Sequence, residues 1–418
     1  MVKKWAIAAI VIYLSAAALV YWYIFWSANT GIPQNFRGTA ADPATFLNAR
    51  ELVLSEEYSK IRNFLFFISS PFEWVFYFLI LLFGISRIFK NWAEATSKIQ
   101  VVRTATYFFW LSILSYAVLF PLNYFSYRLS RSYKISTQSF SSWMKDELID
   151  FWVNFGMTMV VVFILYWLMK KSVKKWWLYA WLLSVPFTLF MMFVQPVVID
   201  PLYNDFYPLK DKALETKILK LAARADIPAD HVYEVNMAEK TNALNAYVTG
   251  IGTNSRIVLW DTTLNQLEDD EILFIMAHEM AHYVEKHIYF GIGSYLLLTL
   301  FGLWVTAKLM DYIVRRWGGV LHIPSVASIS SLPLFLLITA ILLFASSPLS
   351  NSISRYQETR ADRYAVEMTK NNKAAVSTFQ ELTRAGLSEV NPPLLVKWFR
   401  YSHPTMLERI SSVDKLKH

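Results

Sequence analysis

Long apolar runs limit the possible folds of this chain more than any other feature, because runs of this length are typical of membrane-spanning helices. Seven runs are long enough to cross a bilayer, which takes about 20 helical residues. They occupy residues 5–26, 63–85, 101–125, 151–169, 176–199, 288–310 and 328–344. Only 17% of the 418 residues are charged, against roughly a quarter in soluble domains. The sequence therefore predicts a mainly α-helical, polytopic membrane protein with about seven transmembrane helices.

The first apolar run has features of both a signal peptide and a membrane helix. Lys3 and Lys4 precede it, as basic residues do in signal peptides. The run is longer than the apolar region of about 7–15 residues that typical signal peptides contain. We therefore predict an uncleaved first transmembrane helix.

Polar segments divide the chain into four predicted parts. These are a transmembrane region with five spans (1–199), a catalytic segment (200–287), two further spans (288–349) and a C-terminal segment (350–418). Within the catalytic segment the pattern predicts a helix at 211–225 and short strands at 232–235, 245–248 and 256–259. Gly250 and Gly252 favour a hairpin between the last two strands. The segment is thus predicted to be a small α+β domain.

Charge and cysteine content exclude several classes of partner. The net charge of +8 comes largely from Lys/Arg clusters between the apolar runs, which membrane topology explains without nucleic-acid binding. We expect membrane lipid, and no nucleic acid, around this chain. The chain has no cysteine, so disulfides and thiolate metal ligands are excluded. Any metal must be bound by His, Asp or Glu.

The H-E-x-x-H pattern at His278, Glu279 and His282 is the strongest chemical signal in the chain. It lies in a stretch without Pro or Gly, 267–287, whose acidic start suits a helix N-terminus. On a helix the two histidines share one face and can bind one zinc ion. Glu279 then lies beside the metal, where it can accept a proton from water. The alternative, two ordinary histidines on an amphipathic helix, requires a rare chance spacing among only seven histidines.

A catalytic zinc ion usually has three protein ligands and one open position for water. The best candidate for the third ligand is Glu358, in S-R-Y-Q-E-T-R-A-D at 354–362. Asp362 lies four residues later, on the same helix face, and could accept the free N–H of a ligating histidine. Spacing alone equally permits a solvated helix with ion pairs between these carboxylates and Arg355, Arg360 or Arg363.

Several segments together resemble the type I CAAX prenyl proteases, a family of integral-membrane zinc endopeptidases. They are V-V-I-D-P-L-Y-N-D-F-Y-P-L at 197–209, N-A-Y at 245–247, R-I-V-L-W-D-T at 256–262, H-E-M-A-H at 278–282, S-R-Y-Q-E-T-R-A-D at 354–362 and S-H-P-T-M-L-E-R-I at 402–410. Their order matches the family, and the resemblance covers essentially the whole chain. It implies seven spans that enclose a chamber, with the site at one end.

The resemblance also implies roles for individual residues. The metal ligands, for one zinc ion per chain, are His278, His282 and Glu358, with Glu279 as general base and Asp362 behind a ligand. The segment implied to align substrate as an added strand is Asn245, Ala246 and Tyr247. The residues implied to help at the scissile carbonyl are His403 and Arg409. His403 could instead cap or pack before Pro404, and Arg409 could be a structural ion-pair partner.

The resulting hypothesis is a zinc endopeptidase that hydrolyses extended, hydrophobic or prenylated CAAX-type substrates, with Glu279 moving the proton. Residues 239–244 lack the serine-rich approach of eukaryotic members, and the chain lacks their longer insertions. The chain therefore looks more like a prokaryotic relative, whose natural substrates need not be prenylated. The alternatives are a quality-control metalloprotease of the membrane, or a non-catalytic membrane scaffold or transporter.

Two arguments about membrane orientation conflict. The short flanks on the N-terminal side of the membrane carry 13 Lys and Arg residues, and the opposite short loops carry 8. The positive-inside rule then places the catalytic segment outside the cell. Resemblance to eukaryotic members implies instead that this segment faces the cytoplasm. We follow the resemblance, because with seven spans one miscounted helix reverses the first argument.

Overall fold

The computed structural model describes residues 2–228, 231–249 and 256–416. Seven of its helices are long and apolar enough to cross a membrane. The predicted class, a mainly α membrane protein with a small α+β domain, is confirmed. Gly250 and Gly252, which favoured a hairpin, lie outside the described residues.

The helices that carry the candidate spans are α1 (Val2–Trp22), α2 (Ala49–Leu82), α4 (Gln100–Ser132), α5 (Phe140–Lys171), α6 (Trp176–Val194), α10 (His287–Trp317) and α11 (Leu332–Thr369). The shorter helices are α3 (Ile85–Thr96), α7 (Lys212–Arg224), α8 (Asp261–Gln266), α9 (Asp269–Val284), α12 (Asn372–Gly386), α13 (Leu394–Arg400) and α14 (Met406–Asp414). The strands are β1 (Phe206–Pro208), β2 (Val232–Val235), β3 (Ala246–Thr249) and β4 (Arg256–Trp260).

Two of the spans continue far beyond their apolar runs. Helix α2 begins at a capping box formed by Asn48 and Glu51 and continues through Pro71. Its first turns precede the apolar run and are polar. Helix α11 continues through Pro348 to Thr369 without a break. The predicted boundary after residue 349 therefore falls inside one helix, which carries Glu358 and Asp362 from the membrane to the catalytic end.

Six of the spans form a closed ring. Helices α2, α4, α5, α6, α10 and α11 contact one another in that order, and α11 returns to α2, while α1 packs against α2. Helices packed about 8–10 Å apart in a ring of six leave a central space about 10 Å wide. No residue is buried in the most apolar 18-residue stretches of α6 and α10. This agrees with helices that face the surroundings on the outside of the ring and the central space on the inside. The expected chamber follows from this topology.

Two apolar cores lie at the two ends of the ring. One contains buried residues of α2, α3, α4 and α5 together with the segment 321–338. Its buried tyrosines are hydrogen-bonded, Tyr107 to Ser86 at 2.7 Å and Tyr166 to Ser331 at 2.8 Å. The other core holds the catalytic domain together, where the sheet, α7, α9 and α12 bury their apolar faces. Each end of the chamber thus has a packed layer of its own.

The small sheet has the strand order β1-β2-β4-β3. Strands β2 and β4 are parallel, whereas β1 pairs antiparallel with β2 and β3 pairs antiparallel with β4. Strand β3 is therefore an edge strand among the described residues. It also contacts α9, the helix that carries the H-E-x-x-H pattern. The sheet thus presents an open edge next to that helix.

Candidate active site

Helix α9 places the three residues of the H-E-x-x-H pattern at the catalytic end of the ring. Its N-terminus is fixed by a capping box between Glu268 and Glu271, and its first turn is acidic, which favours the helix dipole. Apolar residues of the helix itself, such as Phe274 and Met276, are buried in the core of the catalytic domain. With one face anchored in the core, His278 and His282 face α11.

Three side chains converge where α9 faces α11. His278 Nε2 lies 3.1 Å from Glu358 Oε2, His282 Nε2 lies 3.5 Å from Glu358 Oε1, and the two Nε2 atoms are 3.3 Å apart. Tetrahedral ligands at about 2.0–2.1 Å from a zinc ion lie about 3.3 Å from one another. The Glu358 Oε2 atom is also buried without a hydrogen-bond partner among the described residues. The three side chains therefore fit a metal ion.

The alternative of a solvated, ion-paired helix does not describe residues 354–362. Glu358 and Asp362 are both buried. Arg355 donates to the backbone carbonyls of Lys397 and Tyr401, at 3.0 and 2.8 Å, and so it does not pair with Glu358. Arg360 pairs with Glu285 at 2.6 Å. Tertiary contacts with the C-terminal ends of α9 and α13 thus replace the local pairs that spacing alone permitted.

A carboxylate and an arginine lie behind His278. Its Nδ1 is 2.8 Å from Asp362 Oδ1, and Asp362 in turn binds Arg409 through two contacts of 2.9 and 2.5 Å. Burial favours a neutral imidazole, but the contacts with Asp362 and Glu358 outweigh it and raise the pKa of His278 to about 9. Metal binding at Nε2 must therefore displace a proton, so affinity should fall at low pH.

A second chain of contacts lies behind His282, and the sequence patterns did not reveal it. Lys286 adopts a left-handed backbone conformation with φ of 58°, so the polypeptide turns sharply between α9 and α10. This turn places His287 Nδ1 3.1 Å from His282 Nδ1. His287 Nε2 is 3.0 Å from Glu285, which also binds Arg360.

The proton positions in this second chain follow from the geometry. If Nε2 of His282 binds a metal, its proton is on Nδ1 and is donated to Nδ1 of His287. His287 must then donate from Nε2 to the Glu285 carboxylate. Each histidine of the pair thus has one orientation and one tautomer. The only hint of this in the sequence is a third histidine five residues after His282.

Glu279 lies between two cavities. Both cavities, of about 530 and 360 Å³, are lined by His278, Glu279 and His403. Burial, only partly offset by the positive charges of His278 and Arg409, raises the pKa of Glu279 to about 7. A carboxylate with this pKa, next to a metal site, suits proton transfer near neutral pH.

The open edge of β3 runs past the same centre. Trp260 N–H donates to the Asn245 carbonyl at 3.1 Å. Because ladder bonds alternate along an antiparallel pair, Asn245 and Tyr247 direct their backbone groups toward β4. The backbone N–H and C=O groups of Ala246 and Val248 then face the open edge. Asn245 and Ala246 line the larger cavity and Val248 the smaller one. The pattern N-A-Y thus located the edge strand, but it did not include Val248.

His403 and Arg409, the residues implied to help at the scissile carbonyl, lie in different surroundings. His403 is 54% exposed, toward the cavities, with its Nε2 3.4 Å from Glu358 Oε2. Arg409 is buried, forms the ion pair with Asp362 and stacks on the Phe379 ring at 4.2 Å. The structural ion pair, one of the two roles considered for Arg409, is therefore present. Arg409 also lines the larger cavity.

A membrane protein with such a centre beside an open strand edge belongs to the metalloendopeptidases. Comparison with known proteins identifies the family. Residues 208–417 match the model of peptidase family M48, and residues 23–205 match that of the CAAX prenyl protease N-terminal domain with five membrane helices. The chain therefore belongs to peptidase family M48, a family of zinc metalloendopeptidases.

Individual relatives agree with this assignment. The chain is 53% identical over 99% of its length to the uncharacterized metalloprotease YhfN of Bacillus subtilis, covering 97% of that protein. It is 28% identical to a CAAX prenyl protease 1 homolog of Dictyostelium discoideum, with 86% of each chain covered. The crystal structure of S. mikatae Ste24p superposes with a TM-score of 0.79 at 23% identity, covering 98% of this chain and 97% of that one. This last likeness confirms the fold.

Proposed function

We propose that this protein is a zinc-dependent endopeptidase that hydrolyses extended peptide segments at the membrane surface. The observation that supports this most strongly is the position of Glu279. It lies between two cavities, beside the three convergent side chains and along the open edge of β3. A metal site with an adjacent base and a strand edge has the parts that peptide hydrolysis needs.

The proposed metal ligands are His278, His282 and Glu358, for one zinc ion per chain. His, His and a carboxylate with an open fourth position form a common catalytic zinc site. When bound, the ion would polarise the scissile carbonyl and lower the pKa of the attacking water. Asp362 and His287 would hold the two ligating imidazoles in the required tautomers.

The remaining residues would bind the substrate and move the proton. An extended peptide pairs with the free backbone groups of Ala246 and Val248, which presents its carbonyl to the centre. Glu279 takes a proton from the attacking water and later delivers it to the leaving amine. His403 would donate a hydrogen bond to the carbonyl oxygen as negative charge develops on it. Arg409 acts on the site mainly through Asp362.

The substrates that we propose are peptides or proteins whose cleaved segment is extended and apolar, with or without a lipid. The smaller cavity includes Ile288 at the start of α10, next to the chamber. An apolar part of the substrate could enter the chamber from there. Family membership and an intact Glu279 favour this enzyme over the scaffold or transporter alternative.

Metal removal tests the proposal directly. We expect about one zinc ion per purified chain and hydrolysis of an unstructured reporter peptide, which a chelator abolishes and zinc restores. Zinc content measured by mass spectrometry and peptide cleavage measured by chromatography are the two readouts. A chain that binds no zinc, or that cleaves equally well after chelation, would contradict the proposal.

We further propose that the catalytic end faces the cytoplasm of a bacterial cell. The 53% identity to a Bacillus subtilis protein supports the bacterial setting, and the family resemblance supports the orientation. A reporter enzyme that works only in the cytoplasm, fused after the last residue, should then be active. Activity of a reporter that works only outside the membrane would instead support the positive-inside argument.

A further inference from the structure

We propose that a basic cavity at the end of the ring opposite the catalytic domain binds the phosphate headgroup of an anionic phospholipid. This basic cavity lies where α3, the start of α4, the end of α5 and the segment 324–329 meet, and its volume is about 490 Å³. It shares no lining residue with the two cavities at the candidate active site. The inference therefore does not depend on the proposed peptidase function.

Four cationic side chains and one carboxylate line the basic cavity. The carboxylate, Glu94, lies 3.6 Å from Lys90. Arg103 donates from Nε to a backbone carbonyl just before α4, at 2.5 Å, which fixes its position but leaves its charge unneutralised. Lys98 and Lys170 form no ion pair with any described residue. The cavity thus carries an excess of three positive charges, and such a site favours a phosphate group.

Uncharged donors without partners lie at the same cavity. Helix α4 begins at Gln100, which lines the cavity, and its N-cap residue, Ile99, offers no side-chain acceptor to the first N–H groups. Thr104 also lines the cavity although it is only 5% exposed, and its hydroxyl is hydrogen-bonded to none of the described residues. The positive end of the α4 dipole therefore adds to the four cations, and the buried hydroxyl can donate to a phosphate oxygen.

The surface beside the cavity is apolar, which favours a lipid over free phosphate. Ile99, Val101 and Val102 are exposed and alternate along the chain with residues that line the cavity. Trp92 of α3 and Trp110 of α4 are exposed as well, with ring centroids 5.4 Å apart. Tryptophan is enriched where a membrane meets water. A phospholipid with its phosphate in the cavity would place its acyl chains along this surface, whereas inorganic phosphate would use the cavity alone.

A binding role for these cations also explains the uneven charge of the two membrane sides. Lys90, Lys98, Arg103 and Lys170 are four of the 13 Lys and Arg residues in the short flanks on the N-terminal side. Without these four the count is 9, close to the 8 in the opposite short loops. The positive-inside rule then no longer places the catalytic segment outside the cell. Ligand binding would thus account for the charges that caused the conflict about orientation.

The test compares phosphatidylglycerol, which is anionic, with phosphatidylcholine of the same acyl chains, which has no net charge. Each lipid is added to the full-length protein in detergent. We expect native mass spectrometry to show one retained phosphatidylglycerol per chain, and this lipid should raise the melting temperature. Phosphatidylcholine should do neither, and inorganic phosphate should not raise the melting temperature. Equal retention of both lipids would overturn the proposal, and so would an equal rise with inorganic phosphate, which would indicate a site for free phosphate.

Variants locate the binding within the chain. Lys98→Gln combined with Lys170→Gln should lower the affinity for phosphatidylglycerol about 25-fold, about fivefold for each charge removed. Thr104→Val, which keeps the shape of the side chain, should lower it less. The matched control is Lys174→Gln with Lys175→Gln, which removes the same charge from exposed residues at the same end, outside the cavity. It should bind the lipid as the wild type does.

Two results with these variants would contradict the proposal. An equal loss of affinity in both double variants would mean that the lipid is attracted by the overall charge of this end and not by the cavity. Without lipid, the Lys98 and Lys170 double variant should melt no lower than the wild type, because neither lysine has a partner in the folded chain to lose. A lower melting temperature would show that the two lysines stabilise the fold and do not serve a ligand.

Discussion

Replacing Glu279 with glutamine is expected to lower kcat by about 10²–10⁴-fold while the metal content stays at one ion per chain. Glutamine has nearly the same shape as glutamate but cannot accept the proton of the attacking water. Glu279 is not one of the three converging side chains proposed to bind the metal, so metal binding should be unchanged. Peptide cleavage and zinc content, measured on the same preparation, separate a catalytic defect from loss of metal.

The matched control for this variant is Glu367→Gln, at an exposed carboxylate on α11. It removes the same charge from the chain without touching either cavity and should retain wild-type activity. The wild-type pH profile gives a second check. Because the base works only when ionised, kcat/KM should fall as the pH is lowered through the pKa of Glu279. Burial raises that pKa to about 7, and a bound cation lowers it. Substantial activity of Glu279→Gln would show that another group is the base.

The parts of the site that lie within one helix could be predicted from the sequence. His278 and His282 are one turn apart on α9, and Glu358 and Asp362 are one turn apart on α11. Helical periodicity alone places each pair on one face. That α9 packs against α11 is not visible in spacing. The need for a third zinc ligand made Glu358 the best candidate, and the family resemblance then connected the two pairs.

The parts that depend on irregular backbone or distant packing could not be predicted from spacing. His287 reaches His282 only because Lys286 takes a left-handed conformation that bends the chain between α9 and α10. Arg62 of α2 and Arg400 of α13 lie far apart in the sequence, and tertiary packing brings both to the lining of the larger cavity. No local pattern marks either arrangement.

The predicted apolar runs cover only part of α2 and α11, for a physical reason. A hydropathy window detects the part of a helix that contacts lipid, not the part that contacts water or protein. The first turns of α2 and the last turns of α11 are polar and still helical, so both helices are longer than their apolar runs. The polar end of α11 contributes Glu358 and Asp362 to the site, and that of α2 places Arg62 at the larger cavity.

The two groups behind the proposed ligand histidines, Asp362 and His287, should respond differently to mutation. We expect Asp362→Ala and His287→Leu each to lower zinc affinity by about 10- to 100-fold, because each removes the partner that fixes the tautomer of a ligand. Only Asp362→Ala should also destabilise the metal-free chain severely. It leaves Arg409 buried without its counter-ion, at a cost of about 3–5 kcal/mol. Zinc titration and thermal melting of the metal-free protein measure the two effects.

The difference follows from how far water reaches the arginine at the end of each chain of contacts, Arg360 behind His287 and Arg409 behind Asp362. When His287 is replaced, Glu285 keeps its contact with Arg360, whose side chain is 52% exposed and can be solvated. Arg409, only 7% exposed, has no such access to water. A double variant, Asp362→Ala with Arg409→Leu, should therefore regain much of the lost melting temperature but not the zinc affinity. Equal loss of melting temperature in Asp362→Ala and His287→Leu would contradict this account, and it would mean that the Asp362–Arg409 pair contributes to the site without stabilising the fold.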